Sequence, residues 1–128
     1  MPLYFSADTL TSAKVVLVDQ LPIPPLLSWG LTRFAEFERA NFNGITYLNT
    51  FFLKRDQENN EVIHFHELIH VIQWRILGPK RFLFSYANGL EDFGYRDSPL
   101  EAMAYDAEAA FTAKDIFDAE KMVARKLS

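Results

Sequence analysis

The pattern of apolar and polar residues in the first part of the chain predicts two strands, an extended connection and a short helix. A β-branched run at residues 14–19 and an apolar, aromatic run at residues 45–54 each predict a strand. Three prolines within residues 21–30 predict an extended connection, because proline is excluded from helix interiors and weakens central strands. Residues 32–40 predict one short helix, capped by Thr32.

The clearest helical pattern lies in the middle of the chain. Residues 61–77 predict a helix of about four to five turns, with Asn60 or Asn59 as its N-terminal cap. Gly78 and Pro79 follow in the order that commonly ends a helix. The pattern of residues 82–86 suits a helix and a strand equally well.

The C-terminal part combines a polar loop with further helix. Residues 88–97 are rich in glycine and acidic residues and predict a loop. A helical region follows from Ser98, and its apolar phase shifts near residues 112–115, which predicts two helices or a bend. Residues 1–128 are predicted to form one α+β domain, in which a small mixed sheet and the C-terminal helices pack on the central helix.

Charge and composition narrow the classes of function. The chain has 13 basic and 17 acidic residues and a net charge of −4, so no basic field favours nucleic acid as a partner. The absence of cysteine excludes disulfides, thiolate metal sites and a cysteine nucleophile. The N-terminus does not resemble a signal peptide, and no apolar run has the length of a membrane span. We therefore expect a cytoplasmic protein with no membrane partner.

The central helix carries an HExxH motif, which occupies residues 66–70 as HELIH. Four residues turn a helix by about 400°, so His66 and His70 lie one above the other on the same face. Two imidazoles in this arrangement can take adjacent corners of a zinc tetrahedron. Glu67 points to the edge of that site, where it can accept a proton from zinc-bound water without becoming a ligand. The motif therefore predicts a zinc hydrolase.

Two further polar residues on this helix differ in their relation to the site. His64 is rotated by about 160° from His66, so the helix cannot direct both rings to one metal. We expect His64 to face solvent or a partner. Gln73 falls on the same face as the two motif histidines, and we expect it to hydrogen-bond to a ligand.

A catalytic zinc site needs a third protein ligand and one open position. The metzincin pattern fails, because Gln73 and Ile76 occupy the positions at which that pattern has glycine and histidine. No cysteine or further usable histidine is present, so the third ligand is predicted to be a carboxylate. The downstream candidates are Glu91, Asp92, Asp97, Glu101, Asp106 and Glu108.

Glu101 is the favoured third ligand. It lies in the first turn of the C-terminal helix, with Tyr105 and Glu108 on the same face at i+4 and i+7. The competing interpretation is a capping box, in which Glu101 only binds the backbone N–H of Ser98. The two interpretations differ in direction, since a capping carboxylate folds back on its own helix whereas a ligand projects away from it.

The segments HELIHVIQW and YRDSPLEAMAYDAE together resemble the gluzincin branch of the zincin metallopeptidases, in particular its small single-domain members. Those proteins share an HExxHxxQ helix and a following NPxExxAY-like helix that donates a glutamate. The resemblance implies a minimal zincin-like domain with Zn²⁺ bound by His66, His70 and Glu101 and with Glu67 as general base. It covers the chain from Gly44 onward.

The chain departs from the gluzincin pattern at two positions of the second segment. Ser98 replaces the usual asparagine, and both residues are good helix caps. Met103 stands where the resemblance implies an acid, which leaves the surroundings of the ligands less polar. The resemblance therefore bears more directly on the metal site than on the physiological role.

The predicted activity is cleavage of a peptide or protein substrate by a zinc metallopeptidase. The oxyanion needs a donor besides the metal, and Tyr95 and Tyr105 are the candidates nearest to Glu101, ahead of Tyr86 and Arg96. The strand at residues 45–54 could bind an extended peptide along its edge. Two alternatives stay open, namely a zinc-binding or metal-free module that binds a partner without turnover and a hydrolase of non-peptide amides.

Overall fold

A computed structural model describes residues 1–22 and 43–128, which form an α+β fold with a three-stranded mixed sheet and four helices. The elements are α1 (Ala7–Ser12), β1 (Lys14–Val18), β2 (Gly44–Tyr47), β3 (Thr50–Lys54), a 3₁₀ turn (Arg55–Gln57), α2 (Glu61–Phe93), α3 (Pro99–Thr112) and α4 (Ala119–Leu127). The predicted helix at 32–40 and most of the proline-rich connection lie outside the described residues. None of the described helices is long and apolar enough to cross a membrane.

The sheet has the order β1-β3-β2, with β3 parallel to β1 and antiparallel to β2. The prediction of one continuous strand over residues 45–54 was wrong, because the chain turns at Leu48 and Asn49 and pairs Tyr47 with Thr50. Leu48 adopts a positive φ of 57°, which bulky residues rarely do. Because β3 is the central strand of the described sheet, only the first part of the predicted strand, β2, lies at a sheet edge.

Helix α2 begins where the sequence predicts, but it does not end at Gly78 and Pro79 as predicted. The side chain of Asn60 accepts hydrogen bonds from the N–H groups of Val62 and Ile63, so Asn60 is the N-terminal cap. Gly78 has a φ of 78°, a conformation that glycine adopts without strain, and it interrupts the helix. The chain then resumes a helix at Pro79, because proline is tolerated in the first helical turn.

The part of α2 after the kink extends further than predicted. It includes residues 82–86 and most of the stretch predicted as a loop, and it ends only at Gly94, which has a φ of 79°. Its inner face carries Phe82, whose ring stacks on Trp74 from before the kink at a centroid distance of 3.9 Å. Packing of this aromatic pair supports helix in a segment whose local sequence is ambiguous.

The hydrophobic core lies between the sheet, α2 and the last two helices. Phe51 and Leu53 project from β3 toward the buried face of α2, which carries Phe65 and Ile69. The predicted break in the C-terminal helical region is confirmed, because α3 ends at Thr112 and α4 begins at Ala119. Helices α3 and α4 complete the core with Met103, Ala104, Ala107 and Val123.

Candidate metal centre

Three buried ligand-type atoms converge between α2 and α3. Glu101 Oε1 lies 3.0 Å from His66 Nε2 and 3.0 Å from His70 Nε2, and the two nitrogens are 3.3 Å apart. The three residues are only 5%, 4% and 4% exposed for His66, His70 and Glu101. They are the one group of three or more such side chains within the described ranges that could hold a metal ion. These are the three residues that the sequence predicts as metal ligands.

A hydrogen-bonded chain fixes which nitrogen of His70 faces the group. Gln73 donates its amide N–H to the carbonyl oxygen of Leu100 at 3.0 Å, which assigns its Oε1 as an acceptor. That oxygen lies 2.7 Å from His70 Nδ1, so Nδ1 carries the hydrogen and Nε2 presents a lone pair toward Glu101. The expected hydrogen bond between Gln73 and one of the candidate ligands is therefore present, with His70 as the donor.

His66 presents its Nε2 in a similar way but has a charged neighbour. Its Nδ1 is fully buried and lacks a well-directed hydrogen bond among the described residues, while Glu108 Oε1 lies 3.3 Å away. A hydrogen on Nδ1 faces this carboxylate and leaves the lone pair of Nε2 toward Glu101. Two nitrogen lone pairs and one carboxylate oxygen then point at each other, and such a set requires a cation between its members. The donors fit a divalent metal of the kind that prefers imidazole and carboxylate ligands.

Without a metal, protons take the place of that cation. Burial alone lowers the pKa of His66, but its contacts with the Glu101 and Glu108 carboxylates outweigh burial and raise the pKa to about 10. The carboxylate of Glu101 likewise raises the pKa of buried His70. Burial works to raise the pKa of Glu101, yet the two imidazoles prevail and hold it well below its usual range. The metal-free group is thus an ionised carboxylate beside protonated imidazole.

Glu101 uses its two oxygens differently. Oε1 faces the imidazoles, whereas Oε2 accepts a hydrogen bond of 2.5 Å from the hydroxyl of Tyr86, on the second half of α2. The capping-box interpretation was wrong, because the Ser98 side chain caps no N–H of α3 and donates to the carbonyl oxygen of Tyr95 at 2.8 Å. Glu101 therefore projects from α3 as a ligand does.

Glu67 lies beside the group but outside it. Its side chain points under the sheet, where its Oε1 accepts a hydrogen bond of 3.0 Å from the Thr46 hydroxyl. Strand β2 approaches so closely that a Cβ atom at Gly44 would lie 3.3 Å from Glu67 Cδ and 2.9 Å from Leu53 Cδ2. Burial raises the pKa of Glu67, and the neighbouring histidines only partly oppose this effect.

Tyr95 and Tyr105 form the wall next to His66. The ring of Tyr105 lies 4.6 Å from that of His66, and the two tyrosine hydroxyls are 3.2 Å apart. Arg96 stacks over Tyr105, with its guanidinium carbon 3.8 Å from the ring centroid. Burial is the main cause that raises the pKa of both phenols, so they stay protonated at neutral pH. Tyr105 therefore adjoins the metal group, and Tyr95 contacts Tyr105.

Three further polar residues near the motif differ from what the sequence alone indicates. His64 does not belong to the metal group, as expected. It is half-buried and not simply exposed to solvent, because its Nε2 lies 2.8 Å from the backbone oxygen of Glu58 and its ring packs edge-on against Phe51. The roles of Thr46, as the partner of Glu67, and of Tyr86, as the partner of Glu101, were missed. The spacing of Tyr86 from the motif could not have identified its role, because the kink at Gly78 sets its direction.

Comparison with known proteins adds no relative. The chain matches none of the protein-family models, curated proteins or solved structures with which it was compared. What defines the site is therefore its own geometry: a buried group of His66, His70 and Glu101 that could bind a metal ion, with a buried carboxyl group beside it.

Proposed function

We propose that the protein is a zinc-dependent hydrolase of the zincin type that cleaves peptide bonds. The observation that carries this proposal is the convergence of His66 Nε2, His70 Nε2 and Glu101 Oε1, with the buried Glu67 carboxyl group next to them. Two nitrogens and one oxygen are a ligand set found in catalytic zinc sites, where a fourth position is left for water or substrate. The likeness of the two sequence segments to gluzincins supports the same proposal.

In the proposed hydrolysis, Glu67 and Thr46 have separate roles beside the metal. Zinc, when bound, lowers the pKa of a water molecule and polarises the carbonyl group of the substrate. Glu67 accepts a proton from the attacking water and delivers it to the leaving amine nitrogen. Thr46 holds Glu67 Oε1, which orients the carboxylate and leaves Oε2 for the proton. The raised pKa of Glu67 suits this task, because a stronger base accepts the proton more readily.

Two further features suit a peptide substrate. Tyr105 can donate a hydrogen bond to the developing oxyanion, with Tyr95 donating to its oxygen in turn. Strand β2 lies at the edge of the sheet in the described part of the chain and carries Thr46 above Glu67. An extended peptide that adds to this edge is brought directly over the carboxylate.

The alternative function is a zinc-binding module without turnover. It is favoured by the burial of all three ligand residues, because structural zinc sites are closed and catalytic sites keep an open position. In this case the metal stabilises the packing of α2 on α3, and Glu67 serves only to bind Thr46.

Hydrolysis of a peptide library separates the two functions. We expect the zinc-loaded protein to cleave a subset of peptides and the metal-free protein to be inactive. The Glu67→Gln variant should still bind zinc but should cleave peptides at least ~100-fold more slowly than the wild type. Thr112→Ala is a matched control, because the Thr112 hydroxyl bonds only within the last turn of α3. Cleavage by Glu67→Gln at the wild-type rate would reject Glu67 as the base. Zinc binding without any cleavage would favour the silent module.

A further inference from the structure

We propose that Arg96 forms a subsite for a carboxylate group of the substrate, next to the metal group. This inference rests on the proposed hydrolase function and names the class of substrate that the site selects. The ligand is a peptide that carries a carboxylate within about two residues of the bond to be cleaved. The C-terminal carboxylate of a short peptide is the simplest source of this group.

The position of Arg96 follows from two ring contacts. The Tyr105 ring lies 4.6 Å from the ring of the metal-group residue His66, and the Arg96 guanidinium carbon lies 3.8 Å from the Tyr105 ring. One extended residue advances a chain by about 3.3–3.6 Å. A peptide whose scissile carbonyl lies at the metal group can therefore bring a carboxylate to Arg96 within about two residues.

The charge of Arg96 has no partner in the described part of the chain. The two described arginines that form ion pairs are Arg55, with Asp19, and Arg75, with Glu120, whereas no described carboxylate lies within 4.0 Å of Arg96. Arg96 is exposed and is held by stacking on a neutral phenol ring. Its guanidinium N–H groups are thus oriented without being neutralised, which suits bidentate binding of a carboxylate.

The surroundings of the two histidines indicate that substrate approaches from the Arg96 side. Beside His70 the neighbours Gln73 and Phe82 are buried. Beside His66 the neighbours Tyr105 and Glu108 are only partly buried. Among the described residues, the less enclosed side of the group is therefore the one on which Arg96 lies.

The other charges near the site make Arg96 decisive for an anionic substrate. Glu67, Glu101 and Glu108 all lie at or beside the histidines and repel a carboxylate. Without Arg96, a substrate carboxylate is disfavoured on this side of the site. With Arg96, a charged pair that is properly oriented favours the carboxylate over an uncharged amide by on the order of 10- to 100-fold.

The first test compares kcat/KM for matched short peptides in the zinc-loaded protein. One peptide ends in a free carboxylate, the second ends in an amide, and the third ends in an amide but has glutamate in place of glutamine next to the cleaved bond. We expect the wild type to prefer the first over the second by about 10-fold or more. Preference for the third over the second instead would identify a side-chain carboxylate as the ligand of the same subsite.

Variants assign the preference to Arg96. Arg96→Gln should abolish the preference for the carboxylate while it still cleaves the amidated peptide. Arg96→Lys should retain part of the preference, because lysine keeps the positive charge but lacks the planar guanidinium that binds both carboxylate oxygens. The matched control is Arg125→Gln, an exposed arginine on α4 that makes no contact with the metal group. An unchanged preference in Arg96→Gln, or no preference for any carboxylate in the wild type, would overturn the subsite.

Binding of two small probes separates this inference from the proposed function. Both carry a hydroxamate, which binds zinc, and they differ only in a carboxylate or a primary amide two carbons away. Tighter binding of the carboxylate probe in the wild type but not in Arg96→Gln supports the subsite, without any turnover. Equal binding of both probes rejects the subsite alone. Failure of both probes to bind the zinc-loaded protein rejects an open position on the metal, and with it the proposed hydrolase function.

Discussion

The Tyr86 hydroxyl donates a hydrogen bond of 2.5 Å to Glu101 Oε2, the oxygen that does not face the imidazoles. Tyr86 lies beyond the kink at Gly78, and Glu101 lies in the first turn of α3. The second half of α2 therefore fixes the orientation of a candidate metal ligand that belongs to another helix. Partners of this kind orient metal ligands and influence metal affinity.

Removal of the Tyr86 hydroxyl is predicted to weaken metal binding. Tyr86→Phe keeps the ring that stacks on Phe82 but leaves Glu101 Oε2 without its donor, so we expect zinc affinity to fall by about 10- to 100-fold. The control is Tyr47→Phe, which removes a hydroxyl that donates to the Pro22 carbonyl oxygen, away from the group. Competition titration with a zinc chelator measures both variants, and equal losses in the two would assign the effect to general destabilisation.

Glu101 is predicted to act as a ligand and not as a helix cap. Glu101→Gln should lower zinc affinity strongly, because a neutral amide is a poorer zinc ligand than a carboxylate. A capping residue would behave otherwise, since glutamine serves a capping box nearly as well as glutamate. Zinc titration of this variant beside Glu108→Gln should give the larger loss for Glu101, and undiminished affinity in Glu101→Gln would transfer the ligand role to another carboxylate.

Zinc binding is predicted to release protons at neutral pH. The carboxylates beside His66 raise its pKa to about 10, so the metal-free protein carries a protonated imidazole there below that pH. A ligand must be deprotonated, and zinc affinity should therefore rise with pH through neutrality and level off near pH 10. Calorimetry at pH 7 in two buffers with different ionisation enthalpies should detect at least one proton released per zinc. Identical heats in the two buffers would contradict the protonated state.

Thr46 is predicted to position the catalytic carboxylate. Thr46→Val keeps the shape of the side chain but leaves the buried Glu67 Oε1 without its donor, at a cost to stability of about 1–3 kcal/mol. We expect zinc content to stay unchanged and kcat to fall, while Thr46→Ser, which keeps the hydroxyl, restores most of the rate. Thermal unfolding and peptide hydrolysis measure the two effects, and a fully active Thr46→Val would exclude the positioning role.

The sequence predicted those features of the fold that depend on a few neighbouring residues. Helix α2 begins at the Asn60 cap as expected, and Gly78 interrupts it at the position of its predicted end, because capping and glycine conformation depend on a few neighbouring residues. The sequence did not predict that the helix resumes at Pro79. The hairpin was missed because its turn at Leu48 and Asn49 has no glycine and the apolar pattern continues through it. A positive φ at leucine is imposed by the pairing of β2 with β3 and is not visible in propensity.

For the metal group too, the sequence predicts the contacts that local helical geometry sets but not those that tertiary packing sets. His66 and His70 lie four residues apart on one helix, so helical geometry alone predicts that their rings meet. The approach of Glu101 depends on how α3 packs on α2, and the sequence reached it only through elimination and resemblance. Thr46 comes from a strand whose contact with Glu67 is purely tertiary, and no periodicity indicates it.

The most direct measurement is X-ray absorption at the zinc edge on purified protein, together with its metal content. The proposed function predicts about one zinc per chain, with two imidazole nitrogens at about 2.0–2.1 Å and carboxylate and water oxygens in the remaining positions. His66→Ala should lose one imidazole from the spectrum and most of the bound zinc. Wild-type protein without zinc affinity, or a His66→Ala variant with undiminished zinc and an unchanged spectrum, would contradict the account at its centre.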